Sequence, residues 1–307
     1  MSEMSSPDTS VTTAEAPPAR PPFVERLSDS LQNVVKALIG SNRRPPRRFR
    51  SLLNGTYLGH PLHPVVTDIP IGAWTVAVVL DILWLVSPSA NAWAANAALG
   101  AVAVGFIASL VAFASGWTDW SDTYGSERTV GIYHGLLMTS AIILYLISGA
   151  LRFTDPAHDT LAAAVLAFAG YVVVAIAGYL GGEMVYAKGT NVNHTAWEFG
   201  SEDYEAVLPV SDVADNKMHR VTVSGVPVLL VSLGGKYSAI SSTCTHAGGP
   251  LDEGELQKGG VVQCPWHGSR FELRSGHVLT GPATIAQPRY DVRVRDGMIE
   301  LKRMGGH

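Results

Sequence analysis

Cysteine and charged residues are both scarce in this chain. Only two cysteines occur among 307 residues, and Asp, Glu, Lys and Arg together make up 16% of the sequence. The formal net charge of −4 gives no reason to expect nucleic acid as a partner. Apolar residues reach 47%, but they are not spread evenly along the chain. The length therefore allows two or three domains of different character.

Each cysteine shares a short motif with a histidine. Cys244 and His246 form a C-x-H motif, and after seventeen further residues Cys264 and His267 form a C-x-x-H motif. Two thiolates and two imidazoles are the ligand set of a Rieske 2Fe-2S cluster, in which thiolates hold one iron and neutral imidazoles hold the other. Zinc could take the same ligands, but a zinc finger pairs cysteine with cysteine and histidine with histidine. The motifs favour a site that accepts and returns one electron.

The residues around both motifs closely resemble the Rieske family. The segments CTHAGGPL at 244–251 and CPWHGSRF at 264–271 carry the resemblance, which covers residues 203–303. It implies an all-β domain with two loops at its tip, the cysteines inside and the histidines at the solvent edge. It also implies that the Ser269 hydroxyl and backbone amides donate hydrogen bonds to sulfur, and that Gly281-Pro282 belongs to a covering loop.

The sequence departs from one branch of that family. Rieske proteins of cytochrome bc complexes carry an extra cysteine in each loop and join the loops by a disulfide, but Gly249 and Trp266 stand near those positions here. Because both cysteines are assigned to iron, none remains for a disulfide, which suits a reducing compartment. We expect a potential below that of the bc class.

The N-terminal region contains three kinds of segment. Residues 1–22 are rich in Ser, Thr, Pro and Ala without apolar periodicity, which predicts a disordered tail without a secretory signal. Residues 23–39 have helical apolar spacing and predict an amphipathic helix, on the membrane surface in preference to packing on another domain. The basic juxtamembrane segment extends to residue 56. It has five arginines, which indicate a cytoplasmic anchor: Arg43, Arg44, Arg47, Arg48 and Arg50.

Four apolar runs follow, within a predicted membrane domain at residues 57–195. They cover residues 66–86, 94–115, 131–151 and 161–184. Each comes close to or exceeds the roughly 20 residues that a helix needs to cross a bilayer. The sequence therefore predicts a membrane α-helical bundle with four transmembrane helices, followed by the all-β Rieske iron-sulfur domain.

The number of spans predicts the location of the cluster. Four crossings return the Rieske domain to the side of the arginines, and the opposite end contains a single basic residue, Arg152. We expect a multi-pass protein of the bacterial inner membrane with the Rieske domain and both termini in the cytoplasm. A twin-arginine export signal at Arg43-Arg44 would instead require an odd number of spans after it.

Polar residues gather at the predicted cytoplasmic end of the bundle. They are His60, His63, Asp68, the linking segment 117–122, His134, Glu183, Asn193 and His194. The pieces HPLHP, DIPIGAW, GWxDW and HG resemble a family of four-span bacterial membrane proteins of unassigned function. That resemblance implies topology and little chemistry.

The histidines leave several interpretations open. Imidazoles on facing helices are the usual axial ligands of a b-type haem, with His134 as one ligand and His60 or His63 as the other. A mixed histidine and carboxylate metal site, a quinone headgroup pocket, and simple hydrogen bonding at the interface are the alternatives. Trp117 and Trp120 are expected in an interfacial aromatic belt.

Asp81 is a separate feature because it lies about 20 Å into the first span, at about 1.5 Å per residue. An ionised carboxylate is costly at that depth. We expect either a proton site or a protonated carboxylate that is hydrogen-bonded to a tyrosine. Tyr145 and Tyr171 lie at similar depths.

These features favour a membrane-bound Rieske protein that carries single electrons between a cytoplasmic donor and a membrane acceptor. The expected partners are a redox protein or quinone and the lipid bilayer. No catalytic residue is assigned, and an electron-transfer component is favoured over a self-contained enzyme. The alternatives are an oxidoreductase with a haem, metal or quinone site in the bundle, and a redox sensor or assembly subunit.

Overall fold

A computed structural model of the chain describes residues 22–41, 48–154, 160–200 and 203–305. The predicted disordered tail lies outside these residues except at position 22, as do Arg43, Arg44 and Arg47. The described residues form a helical part and then a β part, as the sequence predicts.

Six α-helices precede the strands in the described residues. Their bounds are α1 Pro22–Ile39, α2 Arg48–Asn54, α3 Leu62–Val86, α4 Ala92–Trp120, α5 Gly125–Thr154 and α6 Thr160–Gly182, followed by a π-helical turn over Glu183–Ala187. Helices α3 to α6 are long and apolar enough to cross a membrane, with mean hydropathies of 2.1, 2.3, 1.8 and 2.3 in their most apolar windows. The four predicted spans are confirmed as helices, and each begins earlier than predicted.

The helices form two antiparallel hairpins, α3 with α4 and α5 with α6, which pack together through an aromatic pair. The rings of Trp74 and Tyr145 stack with centroids 4.0 Å apart and planes at 5°. Glycine makes room for both rings, because a Cβ added at Gly105 would lie 2.3 Å from Trp74 Nε1 and one at Gly170 2.9 Å from Tyr145 Cε2. Small residues of this kind let transmembrane helices approach closely.

The outer surface of the bundle is strongly apolar. Large aliphatic side chains such as Val76, Ile107, Ile143 and Val165 are each at least half exposed. A surface of this composition needs an apolar environment. The distribution of side chains thus matches helices that are surrounded by lipid.

Helix α1 attaches to the bundle by its polar side. Gln32 Nε2 donates to the carbonyl oxygens of Trp120 and Thr123, both at 3.1 Å. Phe23 and Leu38 remain 66% and 79% exposed. The helix therefore packs on the bundle, as the second of the two expectations stated, while part of its apolar face stays exposed; its location on the membrane surface stays a prediction.

Arg50 departs from the predicted role of the arginine run. Its side chain is fully buried and forms an ion pair with Asp122 at 2.7 Å. It also donates to the carbonyl oxygen of Gly40 at 2.7 Å and to Ser121 Oγ at 2.6 Å. Arg50 therefore joins α2 to the end of α4 and cannot serve as an exposed anchor.

Asp81 has a different partner from the one predicted. Its two carboxylate oxygens accept hydrogen bonds from Arg152 Nη1 at 2.8 Å and Nη2 at 2.6 Å, and both side chains are buried. Arg152 belongs to α5 and does not lie in a loop. The expectation of a tyrosine partner is wrong, because Tyr171 instead accepts from Thr75 Oγ1 at 3.3 Å. A bidentate pair neutralises both charges inside the bundle.

The β part contains two antiparallel sheets in the described residues. The strands are β1 Glu205–Pro209, β2 Met218–Val223, β3 Val226–Leu233, β4 Lys236–Ser241, β5 Glu255–Gln257, β6 Val261–Gln263, β7 Arg270–Glu272, β8 Val278–Thr280, β9 Arg289–Arg295 and β10 Met298–Arg303. One sheet has the order β1-β10-β9-β4-β3-β2, and the other has β5-β6-β7-β8. The smaller sheet is an insertion between β4 and β9, and the two share a buried core around Leu229, Ile240 and Phe271. The predicted all-β domain is confirmed.

The β part contacts the polar end of the bundle. The backbone N–H of His194 donates to the carbonyl oxygen of Thr245 at 3.2 Å. Thr56 Oγ1 donates to the carbonyl oxygen of Ala283 at 3.1 Å. These contacts place the tip of the β domain against the segment between α2 and α3 and against the segment that follows α6.

Candidate metal centre

Two loops at the tip of the β domain carry the four predicted ligands. Cys244 and His246 lie between β4 and β5, and Cys264 and His267 lie between β6 and β7. Because β6 and β7 form a hairpin on the inserted sheet, the second loop folds back towards the first. The fold therefore brings the two loops that carry these four residues together.

The same backbone pattern shapes both loops. In the first loop the N–H of Gly248 donates to the carbonyl oxygen of Cys244 at 2.8 Å, and in the second Gly268 donates to Cys264 at 3.2 Å. Both glycines have a positive φ, +77° and +78°, a conformation that favours glycine. Each loop therefore turns within two residues after its histidine and directs the cysteine inward.

The two cysteines are almost fully buried, with 1% and 2% exposure, and neither forms a disulfide. A hydrogen bond with the Cys264 sulfur, and then burial, raise the pKa of the Cys244 thiol well above its ordinary value. Two adjacent buried thiolates are therefore stable only beside a cation.

The two histidines present nitrogen donors to a common point. Their Nδ1 atoms are 3.2 Å apart, and the ring planes meet at 82°. Two bonds of about 2.1 Å at a tetrahedral angle would separate such nitrogens by about 3.4 Å. Burial, with smaller effects of the His267 and His194 rings, lowers the pKa of His246 to about 3, so this imidazole stays neutral.

These observations fit a cluster better than a single ion. In the described part of the chain, no group of three or more His, Cys, Asp or Glu side chains converges on one metal position. Zinc would require four ligands around one point, whereas a Rieske cluster requires two cysteines at one iron and two histidines at the other. The donor set is therefore suited to a 2Fe-2S cluster.

Gly249 stands beside the buried sulfur. A Cβ added there would lie 3.0 Å from Cys264 Sγ and 3.1 Å from the ring of Trp266, a side chain that is 48% exposed. The position therefore has little room for a side chain. This agrees with the absence of the bc-type cysteine pair from the sequence.

Ser269 lies under the covering loop and is fully buried. Its Oγ accepts a hydrogen bond from the backbone N–H of Ala283 at 2.9 Å, which leaves the hydroxyl proton to be donated elsewhere. Donation to sulfur stays a prediction. Sequence reasoning missed Thr245, whose Oγ1 donates to the carbonyl oxygen of Ile285 at 2.8 Å and ties the first loop to the covering segment.

The edge of the site that carries the two histidines faces the helical bundle as well as solvent. His246 and His267 line a cavity of about 540 Å³, whose other walls include Glu127 and His194. The ring of Tyr124 stacks on His267 with centroids 5.4 Å apart. The expectation of a plain solvent edge is corrected, because the end of α4 and the start of α5 border it.

The polar residues of the bundle divide between two places. His63 and His134 line a second cavity, of about 490 Å³, together with Asp68. His60 is exposed and does not line it, so His63 is the histidine that the structure brings near His134. Of the remaining residues, His194 lies beside the cluster loops, and Glu183 pairs with Lys188 at 3.3 Å.

The structure corrects the expectations for the segment 117–122 and for Trp120. Residues 117–120 belong to the end of α4, so the connection to α5 begins only at Ser121. Trp120 is only 4% exposed, and its Nε1 donates to the carbonyl oxygen of Arg128 at 2.9 Å. It packs inside the bundle, where Gly131 makes room for its ring, and so it does not belong to an interfacial belt.

The fold and the ligand geometry together define a Rieske-type iron-sulfur protein with a helical membrane domain. Comparison with known proteins agrees. The Rieske [2Fe-2S] domain family matches residues 203–291, and through this domain the chain belongs to that family. A family described as predicted membrane protein (DUF2231) matches residues 59–194. With its four candidate membrane helices, the chain is a multi-pass membrane protein.

Individual relatives resemble the β domain. The chain is 36% identical over 91 residues to the 3-phenylpropionate/cinnamic acid dioxygenase ferredoxin subunit of Escherichia coli K12, a match that covers 30% of this chain and 85% of that protein. The same figures hold for the subunit from Shigella flexneri. Among solved structures, the ferredoxin of carbazole 1,9a-dioxygenase from Nocardioides aromaticivorans IC177 is 28% identical, with a TM-score of 0.31, over 32% of this chain and 96% of that one. The chain is thus a ferredoxin-type Rieske electron carrier.

Proposed function

We propose that this protein carries single electrons between a soluble cytoplasmic donor and an acceptor in the membrane. The observation that carries the proposal is the position of the ligand set: His246 and His267 line a cavity whose opposite wall is the polar end of the bundle. We further propose that the predicted domain limits, 57–195 and 203–303, separate the anchor from the electron carrier.

The residues of the site have distinct tasks. When bound, the cluster supplies one reversible one-electron couple. Cys244 and Cys264 hold their half of the site away from water, since both are buried. His246 and His267 are less buried and give the electron its shortest route out of the domain. The glycine turns hold all four ligands in place, which keeps structural change during transfer small.

The charge distribution supports a cytoplasmic location for the β domain. Four spans put the domain on the side of the arginine-rich segment, and Arg152 at the other end is already neutralised by Asp81. The sequence between α3 and α4, 87–91, and the sequence between α5 and α6, 155–159, contain no Lys or Arg. An excess of positive charge marks the cytoplasmic side. We therefore propose an inner-membrane protein with the cluster at the cytoplasmic surface.

The relatives support a redox protein as partner. Their names place them in dioxygenases as ferredoxin subunits, so we propose a soluble redox protein as the donor here. Trp266 is 48% exposed beside His267, with centroids 6.4 Å apart, and offers the donor a surface that the bundle does not cover. The membrane acceptor is a quinone, a haem or a partner oxidoreductase.

Membrane vesicles of the two orientations test the proposal. A reductant that does not cross membranes, added outside, should produce a Rieske-type electron paramagnetic resonance signal in inverted vesicles and not in right-side-out vesicles. Cys244→Ser should abolish the signal, because it removes an iron ligand. His277→Ala is the matched control, since His277 is an exposed histidine of the same domain and should leave the signal unchanged. A signal in right-side-out vesicles alone would contradict the proposed sidedness.

A further inference from the structure

Two histidines of the helical part line one internal cavity. His63 lies in the first turn of α3, and His134 lies in the third turn of α5. The cavity of about 490 Å³ has largely apolar walls, including Phe113, Ile142 and Val174. Sites for small molecules and cofactors typically have roughly 300–1,000 Å³ and this kind of lining. The size and composition of the cavity thus suit a bound group.

The backbone fixes the tautomer of both rings. His63 Nδ1 lies 2.9 Å from the carbonyl oxygen of Ala112, and His134 Nδ1 lies 2.8 Å from that of Ala177. A carbonyl oxygen can only accept, so each Nδ1 carries the proton and each Nε2 keeps a lone pair. A backbone carbonyl on one ring nitrogen is the usual arrangement of a metal-binding histidine. Among the described residues, no hydrogen-bond donor reaches either Nε2.

The separation of the rings matches two ligands on opposite sides of one metal. The centroids are 6.2 Å apart, and the ring planes are perpendicular, at 90°. With a metal–nitrogen bond of about 2.0 Å, and about 1.2 Å from nitrogen to ring centre, opposite imidazoles have centroids about 6.4 Å apart and tetrahedral ones about 5.2 Å. The observed value agrees with the opposite arrangement.

A bare ion would lack ligands at this position. Among the described residues, no third His, Cys, Asp or Glu side chain converges with the pair, whereas zinc takes four ligands. A haem brings four equatorial nitrogens and needs only axial ligands from the protein. Glycines give the rings their space, because a Cβ at Gly116 would lie 2.7 Å from His63 Cε1 and one at Gly181 3.3 Å from His134 Cε1.

We propose that the helical domain binds one b-type haem, with His63 and His134 as its axial ligands. Asp119, Thr190 and Asn191 line both this cavity and the cavity beside the cluster histidines, so the two sites adjoin. The proposal that haem binds here depends only on the geometry of His63 and His134. The role of the haem as the membrane acceptor rests on the proposed function: His63 and His134 would hold a haem that accepts the one electron given up by the reduced cluster, so that the cluster would be oxidised and the haem iron reduced.

Haem content and cluster signal, measured on the same full-length protein, test this proposal. The wild type and three variants, His63→Ala, His134→Ala and His60→Ala, are produced with a haem precursor supplied and purified in detergent. We expect one haem per chain in the wild type and in His60→Ala, whose imidazole is exposed and three residues from His63. Loss of an axial ligand should lower haem content about tenfold or more. The perpendicular rings should give a strongly anisotropic low-spin ferric signal.

The outcomes separate the two proposals. A wild-type protein with a Rieske signal but no haem would overturn the haem site and leave the electron carrier intact. A wild-type protein with haem but no Rieske signal would overturn the electron carrier and leave the haem site intact. Haem retained at full content in both His63→Ala and His134→Ala would also contradict the assignment. To exclude misfolding, His63→Gly is supplied with haem and free imidazole, which should restore the low-spin spectrum if only the ligand was lost.

Discussion

At the scale of single residues, Gly249 sets how closely the two cluster loops approach. A Cβ there would lie 3.0 Å from Cys264 Sγ and 3.1 Å from Trp266. We expect Gly249→Ala to destabilise the cluster domain by about 1–3 kcal/mol, the usual cost of overpacking, and Gly249→Val to cost more. The measurement is the temperature at which the visible absorbance of the cluster is lost. Gly305→Ala, where nothing lies within 4 Å of the added Cβ, is the control. Equal melting of all variants would contradict the packing.

Asp215 provides a prediction with a pH dependence. A hydrogen bond from the Ser232 hydroxyl at 2.7 Å, helped by the N–H of Gly234 at 2.9 Å, lowers the pKa of this carboxyl. A lowered folded-state pKa stabilises the fold above the unfolded pKa, and that stability is lost as the pH falls through the folded pKa. Asp215→Asn should therefore melt at a lower temperature than the wild type at pH 7.

The difference in melting temperature between the wild type and Asp215→Asn should persist down to about pH 5. It should narrow below about pH 4, where aspartate in the unfolded chain becomes protonated. Thermal unfolding followed by circular dichroism at several pH values measures it. Asp296→Asn is the matched control, because Asp296 lies in the turn between β9 and β10 and is 91% exposed. A constant difference at all pH values would show that the carboxylate charge is not the cause.

At the scale of secondary-structure elements, the pair between Asp81 and Arg152 joins α3 to α5. Removal of one partner leaves an uncompensated buried charge. We expect Arg152→Met to destabilise the helical domain by about 3–5 kcal/mol, and the double variant Asp81→Leu with Arg152→Met to recover most of that loss. Thermal unfolding in detergent measures both. If the double variant is no more stable than Arg152→Met, the two side chains do not act as a pair.

Arg50 likewise joins two elements through a buried ion pair, here α2 and the end of α4. Its ion pair with Asp122 at 2.7 Å holds this short helix against α4, and α2 in turn presents Ser51 Oγ to the N–H of Gly281 at 3.3 Å. We expect Arg50→Met to release α2 and to speed proteolytic cleavage between residues 54 and 60. Arg48→Met, which changes an exposed arginine of the same helix, should leave cleavage unchanged. Equal rates for both variants would argue against the proposed anchoring.

The iron ligands and the four helices are predictable from the sequence, but the partners of the buried charges are not. Cys244 and His246 lie within one loop, so their motif alone specifies the chemistry. Asp81 and Arg152 are 71 positions apart and meet only because α3 and α5 pack together. Arg50 looks like its neighbours in a basic run, and nothing local marks it as buried.

The choice between His60 and His63 also depends on structure. Helix α3 begins at Leu62, which places His63 on the helix and His60 before it. Both histidines precede the predicted start of the span at residue 66, so apolar periodicity could not separate them. Only the packing of α3 against α5 identifies His63 as the histidine near His134.

At the scale of the whole molecule, the contacts between the two parts support the proposed role of the membrane domain as electron acceptor. The covering loop of the cluster site rests on the segment between α2 and α3 through Thr56 and Ala283, while Tyr124 stacks on His267. A simple anchor would need none of these contacts. They hold the imidazole edge at the bundle, which favours transfer of the electron into the membrane domain.

A redox titration of the purified full-length protein, followed by electron paramagnetic resonance, tests the central claim most directly. We predict that reduction produces a Rieske-type signal of one spin per chain, which appears and disappears in a single one-electron step. The midpoint potential of the cluster should lie below the range of the bc-complex proteins. Gly249 and Trp266 stand near the positions where those proteins carry two further cysteines, and neither cysteine of this chain forms a disulfide. Bound zinc in place of iron, or a reduced protein without a Rieske-type signal, would contradict the account.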